Sequence, residues 1–549
     1  MPSAWYLPQP ACGTAGCVAM ITGVSHPPFW GTDSLGSVTY TVSFLASLAI
    51  AAPEETITAT TDPISQVLVA IIIASAFVLL VMEKAHRVLV IFSAVALLLT
   101  ITYLSPYHLI TFGGAKEALD LNVLLLLASM MAVVGVLKTT GVFPWAVSRL
   151  LARAGGRPHL IQFIIVWFTG VVSAFADNVT TVIFLTPMAI EMAKRTKVRP
   201  VVYLLPMVMA ANIGGAATLI GDPPNILIGS GAGLTFIDFI VDLTMPIVWM
   251  MIMVAWFTQR YYAEDLRAGG GLDDATDAEP QIQDQTLLKW SGLASVLIFT
   301  GFATHGMTGM PVAVPALIGA AFLLVVQDVL YLRRRKPTHQ ERVHGLLDVI
   351  EKEIEWPTLS FFAFLFIAVG AAVETGLIGS AAEGLARFIA YGSDLLSLSP
   401  AGSLLFAALI ICWASGVFSA LIDNIPFVAV AIPIVAALVG EMPGDTEVLW
   451  WALALGACLG GNGSPIGASA NVTVLGLSEK EGTWISFGEF LRLGVPVTAL
   501  TLLVSSGFLA AYVYLGDALV FKVGVAGLVV LGVFRFIVRR LSAVPATTG

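Results

Sequence analysis

Long apolar runs recur along the chain from about residue 64 to about residue 515, most of them close to the roughly 20 residues that a helix needs to cross about 30 Å of hydrocarbon. They are continuous and lack the alternation of barrel strands, so the pattern predicts helices. Spans are expected at about 64–82, 88–104, 122–140, 288–305, 311–332, 358–374 and 493–515, with an extra helix at about 518–537. Two regions keep the apolar background but break it with polar residues. The first carries Ser173, Asp177, Asn178 and Thr180; the second, about forty residues on, carries Asn212, Gly214, Gly215, Thr218, Gly221, Asp222 and Asn225. Such residues are expensive at membrane depth and mark function by default.

The same two patterns return later in the chain. Adding 246 to Ser173, Asp177, Asn178, Pro187, Gly214, Gly215, Gly221 and Asn225 gives Ser419, Asp423, Asn424, Pro433, Gly460, Gly461, Gly467 and Asn471. An ungapped register over this length argues for a duplicated structural unit. The arms on either side of Asp177 are only about 14 to 18 residues long, which predicts a hairpin that turns back within the membrane. Gly214 and Gly215 weaken a helix, and Pro223 and Pro224 remove two backbone donors and push Asp222 out of helical geometry. Asn462, Gly463, Ser464 and Pro465 do the same to a second span. Irregular backbone at that depth is tolerated only inside protein or beside a wet cavity.

Basic residues orient the whole. Lys84 and Arg87, then Arg149, Arg153 and Arg157, then Lys194, Arg195, Lys197 and Arg199, and finally Arg333 to Lys336 mark cytoplasmic loops. The first hairpin starts and ends on that side. The second is flanked by Asp394 and by Glu441, Asp445 and Glu447, so it enters from outside. The expected fold is an all-α polytopic membrane protein: an inverted-topology repeat with two re-entrant helical hairpins and two discontinuous transmembrane helices. Its parts are a leader at 1–60, a first repeat at 61–258, a cytoplasmic acidic linker at 259–287, a second inverted repeat at 288–515, and an extra C-terminal helix and tail at 516–549. The tail, near Arg539 and Arg540, is expected to be cytoplasmic and the membrane to be the plasma (inner) membrane.

Composition closes off other classes. Hydrophobic residues make up 57% and charged residues 11% of the 549, and the mean hydropathy of +0.90 excludes a soluble domain. No basic cluster on an amphipathic face suggests nucleic acid. The four cysteines have no metal or disulfide spacing and no His-Glu-x-x-His pair occurs, so neither a structural metal nor a cofactor is expected. The leader ends in an Ala-x-Ala pattern at Ala49 to Ala51 without the basic n-region of a signal peptide, leaving a cleaved signal and a first helix both open.

The polar motifs define a charge problem. Helix N-termini at Asn178, Asn424 and Pro224 favour an anion, while Asp177, Asp222 and Asp423 add negative charge to the same region. Lys and Arg are missing between Arg157 and Lys194, between Pro200 and Gln259, and between Phe388 and Glu479. A multiply charged anion is therefore expected to find no fixed cationic partner and to need co-bound cations or protons. A monovalent cation, a proton or a small, weakly charged oxyanion acid fits better. Asp177 and Asp423 precede helices, so N-capping and ion binding are both open to them. Asn225 and Asn471 either satisfy neighbouring backbone or coordinate an ion.

At these residues the chain resembles the ion transporter superfamily of arsenite permeases, sodium–proton antiporters, citrate transporters and the melanosomal P protein, and is most similar to the P-protein-like branch. The matching stretches run from Asp177 to Val182, Ala211 to Thr218, Gly221 to Ile226, Leu421 to Phe427, Gly456 to Gly463 and Ile466 to Asn471. The resemblance covers roughly residues 64–515. It implies a scaffold domain and a transport domain, often as a homodimer working by an elevator mechanism. It also implies ion sites at Ser173, Asp177, Asn178, Thr180, Asn212, Thr218 and Asn225, and at Ser419, Asp423, Asn424, Asn462, Ser464 and Asn471. Dicarboxylate carriers of the superfamily have Ser-Asn-Thr at the tips, where this chain has Asp-Asn.

The expected function is secondary active transport of a small inorganic ion, coupled to H+ or Na+, with Asp177 and Asp423 as the working carboxylates; Gly214, Gly215, Asp222, Gly460 and Gly461 complete the candidate site. The alternatives are a passive anion channel through the same cleft and a citrate or dicarboxylate symporter. An intramembrane aspartyl protease would need a Gly-x-Gly-Asp motif, which the sequence lacks; no enzyme activity is expected.

Overall fold

The computed structural model describes residues 62–82, 84–270, 281–335 and 350–516, with positions 520, 522 and 524–527. The leader, residues 271–280 of the acidic linker, the connector at 336–349 and most of the final helix and tail lie outside the described residues. Among the described residues the fold is all-helical, and ten helices are long and apolar enough to cross a membrane.

Polar residues at the ends of the apolar runs set where helices begin. Asp62 accepts from the Ser65 amide ahead of Pro63–Val81, Asp120 from the Val123 amide ahead of Leu121–Thr139, and Asp284 from the Leu287 amide ahead of Gln285–Thr308. Each satisfies an otherwise orphaned donor of a first turn. Spans also form at Arg87–Leu104, Ala313–Arg335 and Trp356–Glu374.

Three details depart from the hydropathy reading. A 26-residue helix, Phe236–Tyr261, closes the first repeat, and a 29-residue helix, Phe487–Leu515, closes the second. The latter begins ahead of the expected 493, at Ser486, whose hydroxyl accepts from the Glu489 amide at 3.1 Å. Shorter amphipathic helices, Val142–Ala152 and Leu377–Leu395, follow the third span of each repeat. Both start from a glycine in the left-handed region, Gly141 at φ 75° and Gly376 at φ 76°, where a side chain would be strained. The acidic linker is also shorter than expected, since Ala263–Ala268 is helical and Asp265 pairs with Arg199 at 2.9 Å.

Apart from the short helix Phe112–Glu117 of the first repeat, whose place in the second falls outside the described residues, the two repeats share one order of elements: three spans with an amphipathic helix, a hairpin, a broken helix and a closing span. That is an odd number of crossings, so the second repeat runs opposite to the first. The hairpins are Pro158–Ser173 with Asn178–Thr196, and Pro400–Leu421 with Asn424–Glu441. The broken helices are Val201–Gly215 with Pro223–Ala232, and Val448–Gly460 with Ser469–Lys480, the latter joined by a 3-10 turn at Gly461–Gly463. Every residue of Val201–Gly215 and of Val448–Gly460 is buried, whereas Pro63–Val81 buries only Ser65, Val69, Ile72 and Ala76. The broken helices thus form the centre, and spans of the second kind present apolar side chains outward, as lipid contact requires.

The repeats also interlock. The first arm of each hairpin packs on the first half of its own broken helix, and the second arm packs on the second half of the other repeat's broken helix. Hairpin tips and helix breaks from both repeats are thereby brought to one place.

Candidate functional site

Each hairpin turns at its aspartate. The Asp177 carboxylate accepts from the Thr180 amide at 2.9 Å and the Thr180 hydroxyl at 3.1 Å. Asp423 accepts from the Ile425 amide at 3.3 Å and from the Ser469 hydroxyl at 2.7 Å. Capping is thus real at both positions. It uses only part of a carboxylate's acceptor capacity, so a cation is not displaced by it.

A set of supports holds tips and breaks together twice over. The Ser173 hydroxyl donates to the Ala211 carbonyl at 2.7 Å, and Ser419 to Ala457 at 2.6 Å. The Thr218 hydroxyl donates to the Ala174 carbonyl and Ser464 to Ala420. The Asn225 side-chain amide donates to the carbonyls of Ala216 at 3.1 Å and Thr218 at 2.9 Å. Asn471 does the same to Gly461 at 2.7 Å and Ser464 at 2.8 Å. These carbonyls are the ones freed by the helix breaks, and burial without a partner would be costly. Glycine makes the close approach possible: a Cβ on Gly214 would overlap the Gly170 carbonyl oxygen, and one on Gly460 would overlap that of Gly416. Gly215 and Gly461 abut the Gly221 and Gly467 carbonyls in the same way.

Within this shared frame Asp222 stands apart. It precedes Pro223–Ala232 but makes no capping bond to it. Its carboxylate instead accepts from the side-chain amide of Asn178 at 3.2 Å and from that of Asn424 at 3.3 Å, so one buried acid joins the tips of both hairpins. Asn178 also donates to Asn212 Oδ1 at 3.1 Å, and Asn212 donates to Asn462 Oδ1 at 2.9 Å and Asn471 Oδ1 at 3.0 Å. A buried chain of amides therefore runs from the carboxylate across the repeat boundary, every link paired as burial demands.

Beside the tips lies a cleft of about 470 Å3. Asp177, Asn178, Asp222, Asp423 and Asn424 form a wall of it, and Arg87, Glu355, Thr358 and Phe361 also line it. Ser173, Asn212, Thr218, Asn225, Asn462, Ser464 and Asn471, together with Gly214, Gly215, Gly460 and Gly461, lie behind this wall as supports, and Thr180 acts through Asp177. The sequence placed all of them in one site, and the structure brings them to one neighbourhood but divides lining from support.

Arg87 corrects one expectation. The motifs lack Lys and Arg, yet a guanidinium from the start of a distant span reaches the cleft. Its Nη1 donates to Ser469 Oγ at 3.1 Å and lies 4.0 Å from Asp423 Oδ2, and its Nη2 donates to Thr358 Oγ1 at 3.0 Å. It also stacks over Phe361, 5.7 Å from the ring centre. In sequence Arg87 reads only as an orientation marker beside Lys84, and nothing local singles out Glu355. The cleft is therefore not without a cation, although four carboxylates, Asp177, Asp222, Glu355 and Asp423, face it against Arg87 and the imidazole of His86. Charges this close to the membrane interior persist when they are paired or serve a permeating ion.

Comparison with known proteins decides the family. A family model described as citrate transporter (CitMHS) matches residues 77–456. The chain belongs to that family. An uncharacterized transporter of Mycobacterium tuberculosis is 36% identical over 442 residues, covering 80% of this chain and 96% of the relative. The P protein of Sus scrofa is 30% identical over 529 residues, covering 81% of this chain and 59% of the relative, in line with the resemblance seen in the motifs. Among solved structures, the YdaH transporter of Alcanivorax borkumensis superposes with a TM-score of 0.53 at 18% identity over 79% of this chain and 99% of the other, a likeness of fold. This member of the citrate transporter family is thus a multi-pass integral membrane transporter with the inverted, hairpin-bearing architecture read from its motifs.

Proposed function

We propose that the protein is a secondary active transporter that moves a small inorganic ion, coupled to H+ or Na+, with Asp222 as the central ion-binding carboxylate and Asp177 and Asp423 flanking it. The observation that carries this reading is the carboxylate shared by both hairpin tips beside an acid-rich cleft. A cation or proton arriving there would contact elements of both repeats at once, which is what a site must do if its occupancy is to bias a movement of the whole unit. The motifs alone assign the working role to Asp177 and Asp423; their caps shift the emphasis to Asp222. The hairpins and broken helices would move as one body against the outer spans, as an elevator. By the positive-inside assignment the cleft faces the cytoplasm in this conformation.

The family description and the guanidinium of Arg87 support a second reading, a carboxylate-bearing anion escorted by cations. Proteoliposomes with an imposed pH or Na+ gradient and the membrane potential clamped at zero test the coupled mechanism. Uphill movement of an ion supports it; equilibration alone identifies a channel.

A further inference from the structure

Arg87 joins its own span to side chains on three other elements. It begins the span Arg87–Leu104, is held by Thr358 on the neighbouring span, and reaches across to Ser469 and Asp423 on the second broken helix and second hairpin. The Ser469 hydroxyl donates onward to Asp423, and the Thr358 hydroxyl donates to Glu355 Oε2 at 2.9 Å. The guanidinium therefore rests between two hydroxyl groups, each backed by a carboxylate. An incoming anion at this point would meet those carboxylates. An incoming cation would meet the same acceptor, Asp423, that already faces the guanidinium.

The other repeat shows what the place looks like without an arginine. There the start of Ala313–Arg335 sits against the start of Leu121–Thr139, with the Ala313 amide donating to Asn122 Oδ1 at 2.9 Å. Asp120, like Glu355, precedes the third span of its repeat, and it takes a hydrogen bond directly from Ser230 on the first broken helix. A simple carboxylate–serine contact thus suffices to join the two sets of helices. The guanidinium at 87 supplies something more, a positive charge at the tip of the second hairpin.

We infer that Arg87 is a tethered counter-ion that competes with the transported cation for Asp423, occupying the carboxylate's field when the site is empty and yielding it when the cation binds. The inference rests on the cation-coupled reading above. Two positive charges do not share one carboxylate at close range without repulsion, even in a partly wet cleft. Cation binding therefore loosens the Arg87–Ser469 link and frees the hairpin and broken-helix unit from the span that carries Arg87. Ion occupancy and release of that contact become one event.

The test uses the full-length protein in detergent and in proteoliposomes, titrated separately with Na+, Li+ and H+ at constant ionic strength held by choline chloride. The readouts are the cation concentration giving half-maximal thermal stabilisation and that giving half-maximal flux. For Arg87→Gln we expect the half-saturating concentration of the activating cation to fall roughly tenfold relative to wild type. Thr358→Val, which removes one of the two hydroxyls holding the guanidinium, shifts it in the same direction by less, and decides the matter if Arg87→Gln does not fold. A half-saturating cation concentration that is unchanged or raised overturns the inference. So does a loss of affinity for citrate or phosphate at unchanged cation affinity, which would make Arg87 an anion-binding residue. A wild-type protein that responds to none of the three cations removes the cation-coupled reading and the inference with it, whereas a responsive wild type matched by Arg87→Gln overturns the inference alone.

Discussion

At the tip of the first hairpin Ser173 donates to Ala211 and Thr218 donates to Ala174; at the tip of the second, Ser419 donates to Ala457 and Ser464 to Ala420. These supports agree bond for bond, and the asparagines behind them differ by one residue only, Asn225 donating to Ala216 where Asn471 donates to Gly461. The charged and polar chemistry between the two repeats does not agree. The position of Asp222 in the first repeat is Ala468 in the second, Asn212 corresponds to Cys458, Thr180 to Pro426, and Pro223 to Ser469. One central carboxylate results where a strict duplicate would have two, and a second buried acid at hydrogen-bonding range would have to be neutralised or paired. The duplication builds the frame, and its divergence builds the site.

The deepest agreement is the place where the account is easiest to break. Gly214→Ala and Gly460→Ala each drive a methyl into a backbone carbonyl that cannot move aside. Both should cost about 3 kcal/mol or more and leave little folded protein by fluorescence-detected size exclusion. If one repeat tolerates the change and the other does not, the frames are not equivalent. Next in size, Asn225→Ala and Asn471→Ala each strand two buried carbonyls. A loss of about 2 to 4 kcal/mol is expected at both, read as matching drops in melting temperature.

Smaller effects should separate the repeats. Asp177→Ala and Asp423→Ala each remove a cap worth about 1 kcal/mol. The Asp423 variant also leaves the Ser469 hydroxyl without its acceptor and Arg87 without its ion-pair partner, so it should reduce flux more than the Asp177 variant; equal losses would deny the asymmetry. The smallest change is Cys458→Ser. The Cys458 thiol donates to Asn225 Oδ1 at 3.4 Å, at the place where Asn212 donates to Asn471 at 3.0 Å. A hydroxyl can make the same contact, so stability should move by less than about 1 kcal/mol in a thermal melt.

The hairpins and helix breaks were legible because their signals are local. An Asp-Asn pair within an apolar run, and Gly-Gly followed by Pro-Pro, dictate turns and breaks whatever surrounds them. The frame was legible through the 246-residue register. The partnership of Asp222 with Asn178 and Asn424 was not, since it depends on how the second hairpin meets the first repeat's helix break. Arg87 was hidden for the same reason: its partners Thr358 and Ser469 lie hundreds of residues on, at 358 and 469. The helices Val142–Ala152 and Leu377–Leu395 escaped notice because they lie outside the long apolar runs from which spans are read. Spacing alone gives Cys458 no role, but its complete burial, its register with Asn212 and its bond to Asn225 make it part of the amide network.

The central claim is that Asp222 is the ion-binding carboxylate on which coupling depends. Flux measured in proteoliposomes with a Na+ or pH gradient, for wild type and for folded Asp222→Asn, tests it most directly. The substitution keeps the shape and removes the charge, so the amide that replaces the carboxylate can no longer accept from both tip asparagines through two oxygens. Coupled uphill flux should fall by about a hundredfold or more, comparable to losing a buried charged partner, while the melting temperature stays within a few degrees. Coupled flux at the wild-type rate in Asp222→Asn would contradict the account.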